Sequence, residues 1–522
     1  MNVKCSLSII RALALMGAAL IPQLLQAQEV YDWEAWRAGR NPAGLVASSA
    51  PRHITQGHFT DAQALLYGSY TSGSFHSLSQ ADELWGVGAS ASAQSYYPNL
   101  LLLGHFSFDQ ETGNNMMGSM FTTPGYYPLD VLEFTPGKKT RQTYGVGGGF
   151  AWRNRSRFIP AATVRFQGVN YAKRKDLRHT TYRQEVEAVP SLLYDGGSFR
   201  VGASYLFLKT SEYIKAEQIG SATAESYYVF LDKGLRYGVQ QEWSGSGVHL
   251  SEPGVDRFPV KEVSHGASLQ AEVGNWLYAD AEYSRTLGEA GEKGHTWFRF
   301  PGHKVAASLQ GTLHGAGAVQ VFRLEYQWMA QRTHETVIEK VSSGGVVVPA
   351  EHGSNCVFQR RYTSVTPSWR IYYPDGLEVG VWGSLLQEEM LCSIIYPYKY
   401  AESSTLYYVG ADLKAGLGPL EMEAGLELAG KVGSHERETL IEDPSMVPDT
   451  LPVQLYAWRL AEDELYDVTR MQVRVCLRYP FTLAGKYHLF AQAACTFTEA
   501  FGVQLLPGDH RQQTILTLGY NF

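Results

Sequence analysis

Cysteine is scarce here, with five residues in 522, at positions 5, 356, 392, 476 and 495. That excludes a disulfide-stapled scaffold. His352 and Cys356 have metal-like spacing, but no second pair follows, so no zinc module is expected. Long apolar runs are also missing: after the first 27 residues nothing approaches the ~20 needed for a membrane helix. Charge of one sign is lacking too. Lys and Arg total 44 against 51 Asp and Glu, a net charge of −7 without a basic block, which gives nucleic acid no footing. There is no phosphate loop and no dinucleotide fingerprint, and no cofactor is implied. His53, His58, His76, His265, His303, His314 and His488 have no Ser or Asp at a diagnostic spacing. The expectation is therefore not an enzyme.

What is present is glycine, tyrosine and alternation. The chain has 52 Gly, 32 Tyr and 12% aromatics, with a mean hydropathy of −0.20. An average that looks soluble is what results when lipid-facing and lumen-facing residues alternate. Residues 1–27 carry Lys4 and Arg11, an apolar run from Ile9 to Leu25, and Ala27 at a cleavage position, the pattern of a secretory signal. Its removal would leave a net charge of −9. The last strand places Leu516, Leu518, Tyr520 and Phe522 on one side and Thr517, Gly519 and Asn521 on the other. A β-sandwich or propeller would explain alternation. It would not explain the leader, the loop rhythm and the terminal Phe together.

Connections alternate between short and long. The short ones are Tyr97-Pro98-Asn99, Asn154–Pro160, Asp195-Gly196-Gly197, Gly274-Asn275, His314–Gly317, Tyr373–Gly376, Leu417-Gly418-Pro419 and Pro480–Tyr487. Gly, Asn and Asp supply the positive-φ positions of tight hairpins. Longer polar stretches lie at 110–142, 210–262, 333–355 and 432–468. Eight turns join sixteen strands. Ala64–Ser74 and Thr514–Phe522 complete a closed antiparallel transmembrane β-barrel of eighteen strands, with fourteen to eighteen as the range. Short turns face the periplasm and long loops the exterior, so both termini are expected to be periplasmic. The division is 1–27 leader, 28–62 a short segment before the barrel, and 63–522 barrel.

Charges are costly on a lipid face, so charged positions in alternating strands should point inward. Arg165, Arg200, Lys304, Arg323, Arg370, Asp412, Lys414, Glu421, Glu423, Glu427, Arg474 and Arg478 form this candidate pore lining. If Gly418-Pro419 closes a hairpin, Lys414 should sit opposite Glu421 and Asp412 opposite Glu423. Such a ladder either sorts solutes by charge or pins a plug. Around the 373–376 turn, Cys356 and Cys392 fall nearly opposite, a candidate disulfide. Cys476 and Cys495 fall at opposite parity and should not bridge. Tyr96, Tyr97, Tyr372, Tyr373, Tyr479 and Tyr520 fit interfacial girdles.

Residues 28–62 lack alternation and contain Trp33 and Trp36, then Asn41-Pro42-Ala43-Gly44-Leu45. Asn-Pro starts a turn. This run resembles the amino-terminal hatch of the fatty-acid-transporter barrel family and of related Bacteroidota barrels that serve type IX secretion. The resemblance implies hatch positions at Asn41, Pro42 and Ala43, in a segment folded into the lumen. That family's barrel is typically fourteen-stranded. Taken whole, the chain resembles uncharacterised outer-membrane barrels of Bacteroidota. Neither a plug of order a hundred residues nor a trailing domain is expected.

Two functions follow. One is a channel or transporter for a small polar or amphipathic solute. The other is an accessory subunit of an uptake or secretion complex, in contact with a membrane transporter, surface lipoprotein or secretion component. Outer-membrane lipid is the surrounding partner in both. The apolar run Tyr227–Leu231, set in a long outer loop, would be a docking patch for the second unless it packs against other loops.

Overall fold

A computed structural model describes Trp36, residues 41–47 and residues 59–522, apart from 176, 218–227, 244–256, 275, 293–294, 316, 344–345, 394–397 and 442–452. The proposed leader lies outside the described residues. Eighteen antiparallel strands form a closed barrel. They are β1 (Phe59–Ser72), β2 (Glu83–Tyr97), β3 (Leu100–Ser119), β4 (Asp130–Trp152), β5 (Phe158–Lys173) and β6 (Arg178–Asp195). Then come β7 (Phe199–Glu217), β8 (Arg257–Val273), β9 (Leu277–Glu292), β10 (Gly302–His314), β11 (Val319–Ser343) and β12 (Val346–Tyr372). The last six are β13 (Glu378–Cys392), β14 (Tyr398–Leu417), β15 (Leu420–Lys431), β16 (Thr469–Leu483), β17 (Tyr487–Phe501) and β18 (His510–Asn521). Closure pairs β1 with β18, Leu66 standing opposite Leu518.

All eight expected short turns join consecutive strands. At Gly418 the backbone has φ +64°, which only a residue without a Cβ adopts freely, and Leu417 pairs directly with Leu420. The turn is therefore centred one residue later than expected. Lys414 meets Glu423, and Asp412 meets Gly425, rather than Glu421 and Glu423.

The outer face is apolar. Leu66, Phe106, Val164, Leu269, Leu309, Leu385 and Leu516 are all exposed on it. Trp152, Phe158, Phe199, Trp276 and Tyr479 crowd the short-turn rim as an aromatic belt. Tyr96 and Tyr372 do not belong to that belt. Both are buried, because their parity turns them inward. On the outside wall near the long-loop end, Arg361 faces Glu389 at 3.4 Å, both well exposed, and this ion pair marks where the apolar band stops.

Strands of up to 27 residues exceed the ~9–11 needed to span. Much of what composition marks as loop, notably 333–355, is therefore a hairpin extending β11 and β12. Its register shifts between Thr333 and His334, so Cys356 pairs with His334. Cys392 pairs with Phe358 instead. Both thiols are free, and Cys392 packs in an apolar cluster with Leu235, Phe358 and Tyr400. The expected Cys356–Cys392 bridge is not formed, because the β12–β13 register, continuous from the Tyr372–Glu378 pair, sets Cys392 opposite Phe358, two residues from Cys356. Cys476 and Cys495 are also free, on adjacent strands at opposite parity.

Candidate functional site, a divided lumen

Three inserts occupy the barrel interior. The first comes from before β1. Asn41 is fully buried, donates to Gln270 Oε1 at 3.2 Å, and accepts the Ala43 N–H at 3.0 Å. This opens a short helix, Ala43–Ala47, that is buried throughout. Trp36 lies over Gly44, where a Cβ would come within 1.9 Å of the indole. Trp36 Nε1 donates to Glu272 Oε2 at 2.7 Å, and the same carboxylate accepts Arg200 NH1 at 2.7 Å. Arg153 donates to the Val46 carbonyl at 3.2 Å. The segment rests on Leu101, Ala151, Ile159, Ala161 and Leu193, inward positions of β3 to β6 that are apolar where their neighbours up the wall are polar. Pro42 is buried beside Asn41.

Most of the remaining charged positions line the wall away from that insert, as ion pairs. Lys414 faces Glu378 at 3.6 Å, Arg474 faces Asp412 at 3.4 Å, and Arg478 faces Glu421 at 3.9 Å. Arg323 contacts Glu325 at 2.8 Å, and Arg165 contacts Glu187 at 3.7 Å. Arg478 also stacks on Phe490, which folds over Gly519 where a Cβ would collide with its ring. Arg370 lies over Gly380, and Glu423 and Glu427 continue the β15 face with Glu421. Lys304 lines a cavity instead.

The second insert falls within a stretch that its polar composition marks as an outer loop. Residues 120–129, between β3 and β4, fold inward. Glu212 accepts the Thr122 N–H at 2.7 Å, and Thr181 donates to the Met120 carbonyl at 2.7 Å. Arg183 stacks on Tyr126 at 4.1 Å while holding Glu185 at 2.7 Å. The tip reaches β12, eight strands round from β4. There Arg360 donates to the carbonyls of Gly125 at 3.0 Å and Tyr126 at 2.8 Å, and to Gln331 at 2.8 Å. Cavities of about 660 and 540 Å³ lie on either side of the loop, and Gly125, Arg360, Glu388 and Met390 line both.

The third insert is a helix, Tyr456–Asp467, between β15 and β16. No side chain caps its N-terminus, so tertiary contacts hold it. Glu464 accepts the N–H groups of Gln504, Leu505 and Leu506 at 2.8, 2.7 and 2.8 Å. Arg459 contacts Glu402 at 2.9 Å and Asp463 at 2.9 Å, and Arg437 contacts Asp463. Arg236 binds Glu462, and also Asp232 at 2.9 Å. Trp458 meets Phe134 of β4 edge-on, so the helix crosses the mouth from β14 to β4. Glu402, His435 and Asp463 are close enough to suggest a metal triad. Both carboxylates are engaged by arginines, so the group acts as an ion-pair network.

Within it His435 contacts Asp467 at 3.0 Å and Glu402 at 3.7 Å. Burial opposes its charge, but bonding to Asp467 and Glu402 outweighs that and pushes it up to about 9. A raised folded value means the stabilisation is complete below the ordinary histidine value and is lost as pH rises through about 9. Limited proteolysis near the helix should therefore accelerate between about pH 8 and 10. The His435→Asn variant should be cleaved faster at neutral pH and lose that pH step.

The expected docking patch is not free. Val229, Phe230 and Leu231 are buried, and Leu231 pairs with Val131 of β4. The run packs against other loops, in an apolar cluster with Phe121, Tyr127, Phe258, Trp297 and Phe300.

A family described as "Family of unknown function (DUF6850)" matches residues 54–522. The chain belongs to this family. No curated protein matches it. Among solved structures it is similar to BauA, the ferric preacinetobactin receptor from Acinetobacter baumannii. Identity is 9%, covering 89% of this chain and 80% of that one, with a TM-score of 0.41. It is similar to the RagAB peptide transporter at 10% identity, covering 90% and 75%, TM-score 0.39. It is also similar to the TodX monoaromatic hydrocarbon channel mutant at 11%, covering 92% of each, TM-score 0.30. Likeness at this level carries nothing about solute or mechanism to the DUF6850 chain.

Proposed function

We propose that this DUF6850 protein is an outer-membrane transport barrel passing a small polar or amphipathic solute, with the 28–62 segment as a periplasmic hatch. One observation carries the reading: the inward loop 120–129 parts a polar lumen into two cavities and is held from across the barrel by Arg360. A barrel built only as scaffold needs no such division. The hatch rests on the β2–β9 wall, which leaves the charged pairs of β11–β16 as the other bank of a path. The apolar band and aromatic belt suit outer-membrane lipid. With Val229–Leu231 buried, an accessory role loses its docking patch, and a transporter or lipoprotein partner would have to meet the rims.

Single-channel recording in planar bilayers tests this. The full-length barrel should conduct weakly, and deletion of residues 28–47 should raise the conductance. A folded deletion variant with neither current nor liposome swelling would overturn the transport reading.

A further inference from the structure

The smaller cavity, about 540 Å³, lies beside the tip of the inward loop. Four inward carboxylates line it, Glu187, Glu262, Glu282 and Glu388, against two inward cations, Lys304 and Arg360. Glu262 is only 8% exposed, and among the described residues no cation is within ion-pair distance of Glu262 or Glu388. Tyr126, at the loop tip, is the hydrogen-bonding neighbour of Glu262. A carboxylate this buried without a counter-ion either takes up a proton or is stabilised in its charged form by an arriving cation.

The nearby arginines do not supply that cation, nor do they offer an anion site. Arg360 spends its donors on Gln331, Gly125 and Tyr126. Arg183 places its two terminal nitrogens on Thr123 and Glu185, covers the face of Tyr126, and is not among the residues that line the cavity. An entering anion would find Lys304 as its donor against four carboxylates. An entering ammonium ion would meet Glu262 and Glu388, which have no ion-pair partner among the described residues. The rest of the wall sets Tyr362, Met329, Met390 and Leu206 among the neutral polar side chains Ser264, Ser284, Thr286 and Gln331. Aromatic faces and thioethers favour an organic cation over a hydrated metal ion.

We propose that this cavity is a binding station for an organic ammonium ion with a short aromatic or aliphatic tail. Glu262 is its principal partner and Glu388 the second. Because Glu388 borders both cavities, it can follow the ion past the loop tip. The proposal rests on the transport reading for its place in the solute's path, but not for the binding itself.

Saturation-transfer NMR on the purified full-length barrel, with benzylammonium and benzoate present together, reads binding without current. Benzylammonium should receive saturation and benzoate should not. The Glu262→Gln and Glu262→Gln/Glu388→Gln variants should lose the signal by about tenfold, the scale of a charge-assisted contact. Circular dichroism and heat-modifiable gel mobility would confirm that they fold, and Glu339→Gln, exposed on the hairpin that extends β11 and β12, serves as a folded control. The proposal falls if benzylammonium receives no saturation, if benzoate matches it, or if the double variant binds as the parent does. A barrel that conducts without binding removes this site alone. One that binds without ever conducting removes the transport reading alone.

Discussion

Arg360→Ala should open the lumen, seen as several-fold higher single-channel conductance with frequent large flickers. Arg360 is the only described side chain of β12 that donates to the loop tip, and it does so with two separate nitrogens. A hydrogen bond to a charged donor contributes about 1.5–3 kcal/mol net, so losing even one shifts a closed–open balance on the order of ten- to a hundredfold. The base of the loop stays anchored by Glu212 and Thr181, so the loop should swing rather than unfold. Arg360→Lys keeps the charge but not the fork that reaches two carbonyls, and an intermediate conductance is expected. Arg361→Ala, on the outside wall beside Glu389, should leave the current unchanged. An Arg360→Ala barrel that conducts like the parent would show that the loop does not divide the path.

Arg360 also shows where sequence reading stops. Alternation and turn chemistry are local, and they suffice for eighteen strands, eight tight turns and the pairing of Leu66 with Leu518. They fail where the barrel wall is not lined in the ordinary way. Leu100-Leu101-Leu102-Leu103, Phe158-Ile159 and Leu192-Leu193 break the alternation with adjacent apolar residues. One member of each faces lipid. The other, at Leu101, Ile159 and Leu193, faces the insert before β1. A doubled apolar residue at the short-turn end is thus a readable sign that something apolar sits inside. The inward loop has a similar sign in Met120-Phe121 and Tyr126-Tyr127, apolar pairs within a connection between strands. Its contact with Arg360 spans 234 and 235 positions and leaves no local trace. The cysteine pairing failed for another reason. The tight turn sets Tyr372 opposite Glu378, and that register puts Cys392 opposite Phe358, two residues from Cys356, an offset too small for turn chemistry alone to fix.

Glu402→Ala should release the helix across the mouth, with a larger loss of local stability than any other single change in that network. Glu402 is buried, and its carboxylate faces Arg459, Arg437 and His435 together. Removing it leaves three cationic groups grouped beneath the helix with Asp463 and Asp467 as the remaining anions. Breaking a buried pair by deleting one partner costs about 3–5 kcal/mol, because the stranded charge stays desolvated. The helix has no N-terminal side-chain cap to fall back on. The expected outcome is rapid cleavage within 456–467 by added protease in the native barrel, while the strands stay resistant. Glu402→Gln tests the charge specifically: it retains shape and one acceptor, so release should be partial, and the rise in cleavage toward alkaline pH should weaken because His435 loses a carboxylate partner. Since Arg459 and Asp463 also line the larger cavity, a freed helix should raise conductance from the long-loop side even with Arg360 intact. The double variant with Arg360→Ala should then exceed either alone, because loop and helix are pinned to different strands, β12 and β14. Equal currents in the single and double variants would mean that loop and helix move as one body, and that the mouth has one gate rather than two.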